Sequence, residues 1–214
     1  RLAAISTALF SDFGLKGNAD DYYDVRNSYI NEVLDRRLGI PISISLIYLE
    51  VGWRLGLKLA PVSFPGHFLV RLDVGLDLPL MVDPFNSGSL VGPEALLTQL
   101  AAAVGSADKA VQMLPRALWP SPRREVLARM LRNLDAIHAH HKDMESALIV
   151  SDLAVRLDPM NPSAVRKRGA LYAHVGYTAA AVADLERYLY IAKDASDKVH
   201  VRALLAKLTL AMNH

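Results

Sequence analysis

The chain has 214 residues, 52% of them apolar, a formal net charge of +2 and no cysteine. That length and apolar content suit one or two packed domains. A near-balanced charge without a long basic run argues against a nucleic-acid-binding face, and the missing sulfur excludes disulfides and thiolate metal sites. The composition fits a reducing compartment, so a cytoplasmic location is expected. No run reaches the roughly 18 apolar residues of a membrane-spanning helix. The mildest candidate, Ile40 to Leu49, is interrupted by Ser43 and Ser45. Arg1 in place of an initiating Met is compatible with a removed targeting segment.

In chain order, Asp20-Asp21-Tyr22-Tyr23-Asp24 is an acidic stretch expected to cap and enter a helix over Asn27 to Arg37. That helix sets Tyr29, Ile30, Val33 and Leu34 on one face, and Gly39 is expected to end it. Pro41 then opens a second helix, as proline does at a first helical position. Ile44, Ile47, Tyr48, Val51 and Leu55 follow at i, i+3, i+4, i+7 and i+11, a buried helical face. Gly56 stops that helix, and Ala60 to Phe64 reads as a short extended run.

His67 to Leu72 and Leu80 to Asp83 read as two antiparallel strands around a loop rich in Gly, Asp and Pro. With Val74-Gly75-Leu76 at the tip, Leu72 faces Leu78, Val70 faces Leu80 and His67 faces Asp83. Directly opposed residues share a sheet face with Cβ atoms about 4.5–5.5 Å apart, so this register puts an imidazole beside a carboxylate. Pro65 and Gly66 give the chain a tight, rigid path just before the histidine. Asn86-Ser87-Gly88 reads as a turn near the same place, and Arg71 as a strand-end ion-pair partner. Pro93 to Val104 is a further helix.

Pro115, Pro120 and Pro122 punctuate the next stretch, and almost everything beyond Arg124 reads helical. The expected division is therefore residues 1–115 and 116–214. Within the second part Ala136, Ala147 and Leu148 have counterparts 34 residues later at Ala170, Ala181 and Val182. The turn Lys142-Asp143 corresponds to Gly176-Tyr177, and Asp158 to Pro162 separates the units. A 34-residue period with small residues at helix contacts is the tetratricopeptide pattern, with His200 to Met212 as a capping helix. His138, His140 and His141 cluster there, but a metal site wants a further ligand and supporting shell. A solvated helix face is expected instead, with Glu145 pairing with His141.

Arg37-Leu38-Gly39-Ile40-Pro41-Ile42-Ser43, then Pro65-Gly66-His67-Phe68-Leu69-Val70-Arg71, then Val82-Asp83-Pro84-Phe85 form a specific combination. It resembles the SirB1 family, a branch of the transglutaminase-like superfamily often followed by tetratricopeptide repeats. The resemblance implies an α+β, papain-like N-terminal domain with a small antiparallel sheet, and an all-α segment behind it. In active members of the superfamily a Cys at a helix N-terminus, a His on the next strand and an Asp on the one after it form the site. His67 and Asp83 match the last two. Ser43 falls nearest the Cys position, with Ser45 as the alternative, while Gly66, Phe68 and Asn86 would line the ligand site.

Loss of the thiol changes the chemistry. A Cys with a pKa near 8.5 is driven to thiolate by a helix N-terminus and an imidazolium; a Ser hydroxyl is not, and needs the His as base during attack together with an oxyanion hole. The expected function is a non-catalytic or weakly catalytic scaffold that binds a peptide or protein, without cofactor, nucleic acid or membrane. The alternative is a serine-dependent amide hydrolase or acyl-transferase using Ser43, His67 and Asp83. For Ser43 the competing role is capping of the helix start, and for His67 a structural pair with Asp83.

Overall fold

The computed structural model describes residues 1–75 and 79–212. The chain divides into two compact units, Arg1–Met130 and Leu131–His214. The first unit opens with α1 (Leu2–Ser6), which continues as a wider helical turn over Thr7–Asp12. A short parallel bridge then joins β1 (Lys16–Gly17) to β2 (Leu38–Gly39). Between them the chain forms a tight helical turn over Val25–Ser28 and then α2 (Ile30–Arg36). The expected single helix over Asn27 to Arg37 is thus two pieces, because Asp24 caps the first by accepting from the Arg26 N–H and Tyr29 is extended. Only Val33 of its four apolar residues is fully buried, while Tyr29 and Leu34 are exposed.

Helix α2 ends before Gly39, with Arg37 left-handed at φ 59°. Gly39 has another task. A Cβ there would lie 2.8 Å from the Ser43 oxygen and 2.9 Å from Ile44, so only glycine lets this strand pass the start of α3 (Pro41–Arg54). On α3 the expected buried face holds at Ile44, Ile47 and Tyr48, whereas Leu55, just past the last helical residue, is exposed.

A four-stranded antiparallel sheet follows, made of β3 (Leu59–Val62), β4 (Leu69–Leu72), β5 (Leu80–Asp83) and β6 (Ser89–Leu90) in sequence order. Alternation along the strands splits the core in two. Val70 and Val82 join Ile44, Ile47 and Tyr48 of α3. Val62, Leu69 and Met81 join Leu96 and Leu100 of α4 (Pro93–Val104) with Ala110 of α5 (Ala107–Ala117). Val70 opposes Val82 and Leu72 opposes Leu80, so the expected β4–β5 register is displaced by two residues. A shift of two preserves every face. The expected Leu72–Leu78 pairing and the Leu76 position in the loop tip lie outside the described residues.

The first unit also runs past the expected division at residue 115. Helix α5 spans it, capped by Ser106 and carrying Pro115 in its last turn. Leu118 packs in the second core cluster. Ser121 binds β3 and the residue after it, its N–H donating to the Pro61 carbonyl at 2.8 Å and its Oγ accepting the Ser63 N–H at 2.8 Å. Arg71, besides its ion pair with Asp73 at 2.6 Å, donates to the Leu118 carbonyl at 2.8 Å. Proline-rich sequence here marks a docked connection rather than a boundary.

Helix α6 (Arg123–His141) is continuous through residues 130 and 131. The second unit continues with α7 (Met144–Leu157), α8 (Pro162–His174), α9 (Thr178–Ile191) and α10 (Lys198–Met212) around Val155, Val165, Leu185, Tyr188 and Val201. The repeat is visible in the backbone: Lys142 at φ 56° and Gly176 at φ 87° make equivalent left-handed turns, and Ala147 and Ala181 are both buried. His138 is buried, not on a solvated face, with Nδ1 3.5 Å from Asp143 Oδ2. His141 ends α6 and Glu145 lies on α7, so their four-residue spacing is not that of one helix.

Candidate functional site

The turn Phe64-Pro65-Gly66-His67 delivers the imidazole. The His67 N–H donates to the Phe64 carbonyl at 3.0 Å, and Gly66 has φ +74°. Pro at the second position and a left-handed Gly at the third are the requirements of a type II turn. His67 therefore sits just before β4, and it reaches Asp83 at the end of β5 because the turn folds back, not through strand pairing.

Nε2 of His67 lies 2.7 Å from Asp83 Oδ2, with 13% and 4% of the two side chains exposed. Nε2 is fully buried, and its N–H is not aimed squarely at that oxygen, so the contact is close but poorly directed. Asp83 is otherwise fully engaged. Its Oδ1 accepts the N–H groups of Phe85 at 3.1 Å and Asn86 at 3.3 Å. Its Oδ2 accepts from the Asn86 side-chain amide at 2.6 Å. Burial opposes its charge, but the hydrogen bonds from His67 and Asn86 outweigh that penalty and hold the carboxyl below its ordinary range. Phe85 presents its ring edgewise to the imidazole, with centroids 6.2 Å apart.

An ionised Asp83 beside Nε2 fixes the proton of a neutral imidazole on that nitrogen. Nδ1 is then an acceptor, and among the described residues no hydrogen bond occupies it. Since Nε2 is buried, the exposed part of the ring lies on its other atoms. The arrangement can accept a hydrogen bond from a ligand, or a proton.

The two serines go elsewhere. Ser43 is fully buried. Its Oγ donates toward the Asn27 carbonyl at 2.7 Å and the Ile40 carbonyl at 3.1 Å, and accepts the Ile40 N–H at 3.0 Å. This is half of a capping box at the start of α3. Asn27 is itself buried and held by Asn18, whose amide donates to it at 3.1 Å. Ser45, also buried, donates to the Phe68 carbonyl at 3.4 Å, one residue beyond His67. No hydrogen bond joins either hydroxyl to the imidazole among the described residues.

Of the other expected site residues, Asn86 joins the pair through its amide, and Gly66 shapes the turn. The Phe68 ring is buried among Ile40, Ile42 and Val126, so it can only support the site from behind. Sequence reasoning missed the anchoring role of Asn27 and missed Arg129 of α6. The Arg129 Nη1 donates to the Phe64 carbonyl at 3.0 Å. No local pattern marks a contact made across so long a stretch of chain. Among the described residues no helix is long and apolar enough to cross a membrane.

Comparison with known proteins identifies the family of each part of the chain. Residues 1–132 match the family model of the transglutaminase-like superfamily, and residues 134–206 match a tetratricopeptide repeat model. A UPF0162 protein of Xylella fastidiosa strain Temecula1 is 41% identical over 209 residues, covering 98% of this chain and 74% of the relative. A UPF0162 protein of Vibrio cholerae is 30% identical over 189 residues, covering 88% of this chain and 68% of the relative. Human F-box only protein 21 is 32% identical over 186 residues, covering 82% of this chain and 28% of that protein.

Proposed function

Because the chain belongs to the transglutaminase-like superfamily, in its SirB1 branch with tetratricopeptide repeats behind it, we propose that it is a binding protein rather than a turnover enzyme. The His67–Asp83 pair receives a peptide or side-chain amide through Nδ1, and the helical repeats hold a protein segment. One observation carries this reading: the Ser43 hydroxyl is spent on the Asn27 and Ile40 carbonyls. A nucleophile must direct its proton to the base it reacts with, and this one directs it to backbone.

The test uses N-acetyl-Gln-Gly amide as probe, titrated into the full chain while the His67 imidazole is followed by NMR. Saturable shifts that vanish in Asn86→Ala, with no covalent labelling by a fluorophosphonate, are expected. A serine-dependent amidase is the second reading, favoured by the 2.7 Å imidazole–carboxylate contact. Fluorophosphonate labelling lost in Ser43→Ala or Ser45→Ala would establish it and overturn the binding reading.

A further inference from the structure

The turn that carries His67 is gripped by one side chain from a distant helix. Phe64 O accepts two hydrogen bonds, one from the His67 N–H at 3.0 Å within the turn and one from Arg129 Nη1 at 3.0 Å. The same guanidinium lies over the Phe68 ring, with Cζ 5.4 Å from its centroid. Arg129 therefore holds the residue that opens the turn by its carbonyl and the residue after the histidine by its ring. Val126 and Met130 of the same helix pack against Phe68, Ile40 and Ile42, which fixes the helix that presents the guanidinium.

We propose that Arg129 is a positioning residue for His67, setting the imidazole against Asp83 and so fixing which ring nitrogen is offered to a ligand. The proposal rests on the reading of His67 as the binding group. The physical argument is directional. A type II turn has one internal hydrogen bond, and a left-handed glycine inside it leaves the backbone soft. A planar, permanently charged donor at the turn's first carbonyl, with its face on the next aromatic ring, removes that freedom from both ends. Methionine loses the donor, glutamine loses the charge and the reach, and lysine keeps the charge and a donor but loses the plane.

The experiment reads the His67 side chain directly, without a ligand. In the full chain the imidazole nitrogen shifts should report a single tautomer protonated at Nε2. Arg129→Met, which keeps apolar bulk, should move them toward the average of two tautomers and weaken N-acetyl-Gln-Gly amide binding about tenfold, the scale of a lost charged hydrogen bond. Arg129→Lys should recover most of the single-tautomer signature. A merely structural arginine would lower the melting temperature and leave the nitrogen shifts of the folded protein in place, and that result overturns the proposal. If Arg129→Met fails to fold, Arg129→Gln decides it: this shorter, neutral side chain should move the tautomer shifts where Arg129→Lys does not, and unchanged shifts in Arg129→Gln refute the role. Failure of the binding reading has a different mark, since the probe would not bind the unaltered chain while the tautomer shift persisted.

Discussion

Asp83 is the residue on which the site's electrostatics turn. Its carboxyl is held below the ordinary carboxylate range by His67 and Asn86 against the cost of burial. A lowered folded value means the stabilisation is complete above the unfolded value, about 3.9, and disappears as pH falls through the folded one. Unfolding of Asp83→Asn should therefore start weaker than that of the parent chain at pH 7, by about 1–3 kcal/mol for disturbed buried hydrogen bonds. The gap between the two should close as pH drops below about 4. Denaturant melts at a series of pH values measure it, and a gap independent of pH would refute the linkage. The closeness of His67 and Asp83 was expected from a strand register that the structure displaces by two; the turn at Gly66 makes the contact instead. The capping role of Ser43 was legible; its bond to the Asn27 carbonyl was not, because Asn27 lies outside the helix that Ser43 opens and is brought there only by tertiary packing.

At the scale of elements, turn chemistry explains most differences between expectation and structure. The helix expected over Asn27 to Arg37 has the right periodicity, yet Tyr29 at φ −94°, ψ 116° breaks it. Helix α5 went unread because Pro115 suggested a boundary, whereas the helix carries that proline in its last turn and ends two residues later at Ala117. The β4–β5 register was displaced by an even step, so burial of Val70 and Val82 was still legible. The repeat yields a paired prediction. Lys142 adopts the left-handed conformation that Gly176 adopts 34 residues later, and a side chain there carries a strain of about 1 kcal/mol. Lys142→Gly should raise the midpoint of unfolding of the helical unit, and Gly176→Ala should lower it, each by about 1 kcal/mol. Urea melts followed by helical circular dichroism give both signs.

For the whole molecule, the two compact units dictate where the chain can be cut. Residues 1–115 lack Leu118, the Ser121 contacts to β3, and the Val126 and Arg129 contacts around Phe68. A fragment ending at 115 should expose the core face of Met81 and Leu96, bind a hydrophobic dye and melt without cooperativity. A fragment of residues 1–141, which keeps α6 whole, should melt cooperatively and retain the His67 imidazole signature. Equal cooperativity in both would show that the segment after α5 is dispensable. Composition could not reveal this, since three prolines look the same in a linker and in a strap fastened by side chains.

Full burial of Ser43 against two carbonyl oxygens bears on what a sulfur atom at this position could do. Ser43→Cys would install a thiol whose immediate surroundings are negative ends of peptide dipoles, which disfavour the anion and raise its pKa. Iodoacetamide should modify that thiol in the folded protein far more slowly than after unfolding. A reactive thiol at this position would thus demand moving the helical turn that carries Asn27 as well as changing one side chain.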